Sequence, residues 1–211
     1  MAVLGLTKLE SLNQILSTIN EPRVTVLPSA DSPVDTTSVI ADAENWLDME
    51  NTRLQSYGWP ENTDYDKEIT PSGSSFEINV SQANIASTTI AVWSADPDPN
   101  KVYVLRGDAV YDQKNRSLNF GSADKVKLDV VEELAFESCS PRLKTLITQT
   151  AMMTFQRYKQ GSQIVDQWLR EERSWAELSA NRQRDPRATV GFQNTTAMLP
   201  EFSSASQEAR R

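Results

Sequence analysis

Carboxylates, hydroxyls and amines occur in several spacings that could carry chemistry, but the 211-residue chain contains no histidine. The adjacent pairs Glu132/Glu133 and Glu171/Glu172 are candidates for the acid and base of glycoside cleavage, which needs two carboxyls about 5–10 Å apart. Neighbouring residues on a helix point about 100° apart, so neither pair is poised by itself. The lack of histidine excludes Ser-His-Asp and Cys-His catalysis and zinc sites of the usual Cys/His kind.

Two short motifs resemble fragments of known sites. The Asp-x-Asp-x-Asn run at 96–100 matches the first half of a calcium loop, but Lys101 and Gly107 stand where glycine and a bidentate glutamate are needed. A proline-stiffened turn is the prediction there. Ser122 and Lys125 form an S-x-x-K spacing without the partner motifs of that chemistry, which predicts a loop. We therefore predict no catalytic, cofactor or metal site.

Composition limits the remaining classes of protein. Cys139 is the single cysteine, so no internal disulfide is expected. The two closest of the seven glycines, Gly107 and Gly121, are too far apart for a phosphate-binding loop. The apolar start at residues 1–6 is too short for a signal peptide, and no stretch approaches the roughly 20 residues of a membrane span. With a net charge of −8, we expect a soluble protein made in the cytoplasm that does not associate with membranes.

Helical periodicity dominates both ends of the chain. Thr7 and Glu10 form a capping box that starts a helix over 7–20, and a second helix from about Thr36 ends at Gly58. From Pro141 a long helical pattern follows, with Gly161 as a kink or break. Its apolar stripe consists of Leu143, Leu146, Ile147, Thr150, Met153, Ile164, Trp168, Trp175 and Leu178.

The middle of the chain has the two-residue period of strands. Phe76, Ile78 and Val80 alternate with polar residues. Further β-rich runs cover 88–93, 101–105, 109–111, 118–120 and 125–131. Turn residues separate these runs, which predicts a small antiparallel meander.

Together these patterns predict an α+β fold, in which a helical bundle formed from both chain ends carries an inserted small antiparallel β-domain and an extended C-terminal arm. We predict N-terminal helices over 1–60, the β-sheet insert over 61–131, long C-terminal helices over 132–184 and the arm over 185–211.

The last segment, 185–211, has no periodicity yet keeps bulky apolar residues such as Phe192, Met198, Leu199 and Phe202. Segments of this kind often order on a partner, so a binding arm is favoured. Packing on its own domain and a disordered tail remain alternatives.

Charge and tryptophan placement also suggest interactions with other proteins. Residues 1–80 hold thirteen acids and four bases, whereas 140–211 is net basic. This asymmetry suits a subunit with different neighbours at its two ends, although a plain solvated surface is the alternative. Trp46, Trp168 and Trp175 fall on or beside helical stripes, which favours packing in the core or at a subunit interface over a sugar or base platform.

Four segments in order carry a family resemblance. They are LESLNQILSTINEP at 9–22, LQSYGW at 54–59, VYVLRGDAVYD at 102–112 and the long helix over 141–155. The set resembles tail tubular protein A of short-tailed bacteriophages (podoviruses). The polar stretch 61–75 departs from the family pattern and is predicted to be an insert, and the extended tail is a second departure.

The resemblance implies a non-catalytic head-to-tail adaptor, also called a gatekeeper. Members of this family form a dodecameric ring beneath the portal vertex, join it to a nozzle made of a tail tubular protein B-like partner, and offer lateral docking sites for tail fibres. Their fold is a helical bundle with a β-domain. The expected location is the virion tail, after assembly in the host cytoplasm, as part of the DNA ejection channel.

The resemblance also implies that a C-terminal extension embraces the portal. We expect Phe192, Met198, Leu199 and Phe202 to anchor it, while the basic residues Arg182, Arg184 and Arg187 pair with portal carboxylates. Acidic residues within 1–80 would give the channel a negative lining, so viral DNA would pass without specific binding. The alternatives are another tail or capsid accessory scaffold protein and, more distantly, a cell-wall glycosidase.

Overall fold

The computed structural model describes residues 5–27, 39–71, 76–80, 86–95, 101–121 and 125–184. Within these ranges the chain is a mixed α+β protein, as predicted. Its four described α-helices are α1 Lys8–Ser17, α2 Val39–Gln55, α3 Pro141–Lys159 and α4 Gln163–Arg184. None of these helices is both long and apolar enough to cross a lipid bilayer.

The predicted capping box starts α1. The Thr7 hydroxyl accepts a hydrogen bond from the backbone N–H of Glu10, and the Glu10 carboxylate accepts one from the backbone N–H of Thr7 at 2.9 Å. This backbone hydrogen bond lowers the pKa of Glu10. The box therefore satisfies two N–H groups that an uncapped helix leaves unpaired.

A glycine ends α2, as predicted. Gly58 has a φ of +70°, a conformation that glycine adopts at little cost. A Cβ atom at this position would lie 2.9 Å from the ring of Trp93, so the close approach of a strand also requires glycine. The predicted start of this helix, at about Thr36, lies in the segment 28–38, which is outside the described residues.

A second glycine separates the two long C-terminal helices. Ser140 caps α3 by accepting a hydrogen bond from the backbone N–H of Leu143, and Pro141 occupies the first turn, where a missing N–H costs little. Gly161, with a φ of +64°, lies between α3 and α4. The predicted break is therefore confirmed, and it reverses the chain so that α4 packs against α3.

Five strands form two small antiparallel sheets within the described residues. The strands are β1 Thr63–Ile69, β2 Thr89–Ser94, β3 Tyr103–Arg106, β4 Ala109–Asp112 and β5 Val126–Glu132. The first sheet has the order β1-β5-β2, and β3 pairs with β4 as a hairpin. The predicted meander is therefore wrong, because β5 inserts between the two earlier strands instead of pairing with β4.

Three other predictions for this region need correction. No strand was predicted in the polar stretch after residue 60, but this stretch contains β1, an edge strand whose charged side chains face solvent. Charges on an exposed edge discourage pairing with other chains, and they also hide the strand from hydrophobic periodicity. Residues 76–80 form an isolated bridge from Asn79 to Ala109, and 118–120 form no strand.

The described apolar side chains form two clusters. The helical cluster contains buried residues from α1 to α4, including Leu12, Leu47, Ile147, Phe155 and Leu169. The β cluster contains buried residues from both sheets and from 76–80. The bundle architecture with an extended arm remains a prediction, because 185–211 lie outside the described residues.

A buried polar network connects the end of α2 to the end of β5. The amide of Gln55 donates to the Leu134 carbonyl at 2.8 Å and accepts from the Leu134 N–H at 2.7 Å. The side chain of Asn62 donates to the Glu132 carbonyl at 3.1 Å and accepts from the Trp59 N–H at 2.7 Å. These bonds satisfy backbone groups where the helical and β parts meet.

Candidate functional site

Helix α4 presents large apolar side chains to solvent. Ile164, Trp168, Trp175 and Leu178 are 68%, 64%, 74% and 53% exposed. We call these four residues the α4 row. Their spacings of four, seven and three residues place them on one helical face. Apolar surface of this extent on one face is typical of a site that binds another protein.

The opposite face of α4 holds it to the rest of the chain with smaller residues. Leu169, Ala176 and Ala180 are buried, and Val165 packs against the same helical cluster. The apolar stripe predicted through Ile164, Trp168, Trp175 and Leu178 therefore lies on the solvent-exposed face of this helix. The helix has two apolar faces. The exposed face carries the larger side chains, including both tryptophans, and is therefore the more conspicuous of the two in the sequence.

The structure separates the three tryptophans proposed for an interface. Trp168 and Trp175 share the α4 row, so the intrachain-core alternative is wrong for both. Trp46, on α2, is partly buried against the helical cluster. Its ring centroid lies 5.8 Å from that of Tyr158 on α3. Trp46 therefore contributes to packing within the chain.

A second exposed strip lies on α2 and the turn that follows it, and it was not predicted. Met49 of α2 and Tyr57 of the turn are 60% and 49% exposed, and Arg53, four residues from each, has a side chain that is 46% exposed. We call Met49, Arg53 and Tyr57 the α2 row. The Nε atom of Arg53 binds Glu50 at 2.6 Å, and another nitrogen lies 3.3 Å from the Tyr57 hydroxyl. Each of these three residues is four positions from the next, and this helical spacing is the sequence signal that could have indicated the exposed face of α2.

Ion pairs connect α2, which carries one of these rows, to its neighbouring helices. Burial opposes the charge of Lys8, but hydrogen bonds to Glu44 and Asp48 outweigh it, and the pKa of Lys8 is raised. Lys159 of α3 binds Asp42 of α2 at 2.6 Å, and this hydrogen bond raises the pKa of Lys159. Charged contacts thus connect α1 to α2 and α2 to α3.

The geometry on its own indicates a protein-binding subunit, and a comparison with known proteins identifies the family. The family model for tail tubular proteins matches residues 9–189, from α1 to just beyond α4. The chain belongs to the tail tubular protein family. No curated protein shows significant similarity to it.

Membership confirms the resemblance inferred from the four segments. A tail tubular protein is a structural component of a bacteriophage tail, so the chain is a virion tail protein. The match covers the described helices and strands, including the stretch 61–75 that departed from the expected pattern.

The predicted portal-binding residues fall at or beyond the limit of the structure. Arg182 and Arg184 belong to the last turn of α4, but their side chains are outside the described residues. Backbone and side chain are both outside the described residues for the other five, which are Arg187, Phe192, Met198, Leu199 and Phe202. The role of these seven residues stays a prediction.

Of the residues considered for catalysis, Glu132, Glu133 and Lys125 are engaged in structural contacts, whereas Glu171 and Glu172 are exposed on α4. Glu132 lies 3.6 Å from Lys67, and Glu133 accepts a hydrogen bond from the Thr52 hydroxyl. Lys125 pairs with Glu68, which lowers the pKa of Glu68 through a hydrogen bond, while the calcium-like run 96–100 lies outside the described residues. Across the described ranges no group of three metal-ligating side chains converges.

The single thiol is also poorly suited to chemistry. Cys139 is buried beside Gln55, and burial raises the pKa of its thiol to about 12. Because the thiolate is the reactive form of cysteine, this thiol is a weak nucleophile at neutral pH.

Proposed function

We propose that the chain is one subunit of a head-to-tail adaptor ring, with twelve copies, that links the portal vertex to the tail nozzle. The ring offers docking sites for tail fibres and forms part of the channel through which DNA is ejected. Its subunits contact their neighbours through two different surfaces, which is the arrangement that closes into a ring.

The α4 row is the observation that carries this proposal. Two tryptophans expose on the order of 300 Å² of indole surface on one helix, which is costly for a subunit that works alone. Membership in a family of tail structural proteins supports the same conclusion. Trp168 and Trp175 are therefore the proposed interface residues. Trp46 of α2 instead packs within the chain, beside Tyr158 of α3.

Attachment to the portal is assigned to the arm over 185–211. Each bulky apolar side chain that becomes buried contributes about 1.5–3 kcal/mol before ordering costs, and twelve copies multiply the effect. Arg182, Arg184 and Arg187 would add ion pairs with portal carboxylates. The acidic bias of 1–80 supports a channel that viral DNA passes without specific binding.

Truncation after Arg187 tests the arm. We expect a subunit with unchanged circular dichroism and thermal unfolding that no longer binds purified portal rings in sedimentation or electron microscopy. Truncation after Phe202 is the matched control, because it keeps all four apolar anchors and should bind normally. Equal portal binding by both truncated chains would contradict the assignment.

Imaging of the full chain mixed with portal separates adaptor from accessory protein. A ring of about twelve copies coaxial with the portal, with an open channel, is the expected result. Binding as isolated copies on the capsid or fibre would favour the accessory-scaffold alternative. The contacts of Glu132 and Glu133 lend no support to a glycosidase.

A further inference from the structure

The central pair of the α4 row, Trp168 and Trp175, resembles the α2 row in length and in pattern. Trp168 and Trp175 are seven residues apart, or about 10 Å along the helix, and Met49 and Tyr57 span about 12 Å. Each row has a charged residue between its two large side chains: Glu171 on α4 and Arg53 on α2. The charges are opposite, so the rows are complementary.

The two charged residues differ in what already binds them. Glu171 is exposed and makes no ion pair with any residue in the described part of the chain. Arg53 uses Nε for Glu50, and its guanidinium has further N–H donors. A second carboxylate can therefore bind Arg53 without displacing Glu50.

We propose that the α4 row of one copy packs against the α2 row of a second copy, with Glu171 bound to Arg53. The tryptophans then cover Met49 and Tyr57 and exclude water from the ion pair, which strengthens it. A contact that uses the α4 row of one copy and the α2 row of the next leaves each copy with one free row, so it is heterologous and can repeat around a ring. The inference rests on the proposed ring and names the surfaces that build it.

Engineered cysteines test which surfaces meet. We use the full chain with Met49→Cys plus either Trp168→Cys or Trp175→Cys, assembled on portal and treated with a mild oxidant. Since Cys139 is buried and its thiol has a raised pKa, it should not interfere. One of the two pairs should give a ladder of disulfide-linked multimers, and which pair does so reveals whether the helices run parallel or antiparallel.

The control pair is Lys114→Cys with Trp175→Cys. Lys114 is exposed in the turn after β4, which belongs to neither row, and should give no ladder. A ring that forms normally but cross-links through neither row pair would overturn the inference and leave the adaptor function intact. Failure of the full chain to form any ring on portal would overturn both.

Charge reversal provides an independent test. Glu171→Lys should weaken ring assembly by at least about tenfold, because two cations then face each other. The same chain carrying Arg53→Glu should recover assembly. Loss without recovery, although circular dichroism shows the doubly substituted chain to be folded, would count against a direct pair.

The C-terminal arm is the competing occupant of the α4 row. If the arm of the same chain covers it, Trp175→Cys combined with Phe192→Cys should give an intrachain disulfide in the isolated monomer. That result would show that the arm, and not a second copy, covers the α4 row, and it would overturn the inference.

Discussion

Asp166 connects the two long helices by binding an arginine from each. Arg157, near the end of α3, donates to its Oδ1 atom, and Arg170, one turn along α4, lies 2.7 Å from Oδ2. The hydrogen bond from Arg157 lowers the pKa of Asp166. A carboxyl group with a lowered folded-state pKa stabilises the fold above its unfolded pKa, and this contribution is lost as pH falls through the lowered value.

Asp166→Asn should therefore lower the free energy of unfolding near neutral pH, by a modest amount because the pair is exposed to solvent. We expect the difference from the wild type to shrink as pH falls below the ordinary value of 3.8 and to vanish once pH has passed below the lowered pKa of Asp166. Urea unfolding of both proteins across this pH range measures the difference in their free energies of unfolding. Glu172→Gln, on the exposed side of α4, is the control and should show little difference at any pH. A difference for Asp166→Asn that persists in acid would show that charge is not the cause.

Single residues could be predicted from sequence where their partners are close in the chain. Thr7 and Glu10 are three residues apart, and their capping box was identified correctly. Gln55 was not identified, because its partner Leu134 is 79 residues away and a glutamine in the last turn of a helix is ordinarily solvated. The burial of Gln55 and its hydrogen bonds to Leu134 become visible only in the folded chain.

The two faces of α4 make opposite predictions for adjacent residues. Trp175→Gln changes a side chain that is largely in water, so the isolated subunit should unfold within about 0.5 kcal/mol of the wild type. Ala176→Leu adds volume where α4 packs on the helical cluster, which should destabilise the fold by about 1–3 kcal/mol. Chemical unfolding of the two variants is the measurement. The reverse order would mean that the tryptophan face is the one that packs on the subunit.

Elements were predictable where one period dominates. The four helices and four of the five strands follow from apolar spacing, with ends set by Gly58 and Gly161. Strand β1 was missed because its solvent-facing charges conceal the period. Asp66 within it has a φ of +54°, at a bulge where its N–H donates to the Asp129 carboxylate. The apolar stripe of α4 was located from its spacing, but core and subunit interface stayed open for its tryptophans because periodicity locates an apolar face without saying what covers it.

For the whole molecule, the buried polar junction explains how two hydrophobic clusters can act as one unit. Gln55, at the end of α2, binds both backbone groups of Leu134, which follows β5, and Asn62 binds the Glu132 carbonyl. Each intramolecular hydrogen bond of this kind contributes about 0.5–1.5 kcal/mol net of the bonds to water that it replaces, so breaking the junction costs free energy. The helical and β parts should therefore unfold together in the wild type.

Gln55→Leu should uncouple them, because it keeps the volume but leaves the Leu134 N–H unpaired, at roughly 1–3 kcal/mol. The Leu134 carbonyl would keep the longer, 3.4 Å hydrogen bond from Asn51. Hydrogen exchange in rising urea distinguishes the parts: peptides from β5 should lose protection at lower urea than peptides from α3, whereas in the wild type both should lose it together. Gln167→Leu, the same change at an exposed position of α4, should leave the two coupled. If β5 and α3 still open at one urea concentration in Gln55→Leu, apolar contacts rather than the polar network must join the two clusters.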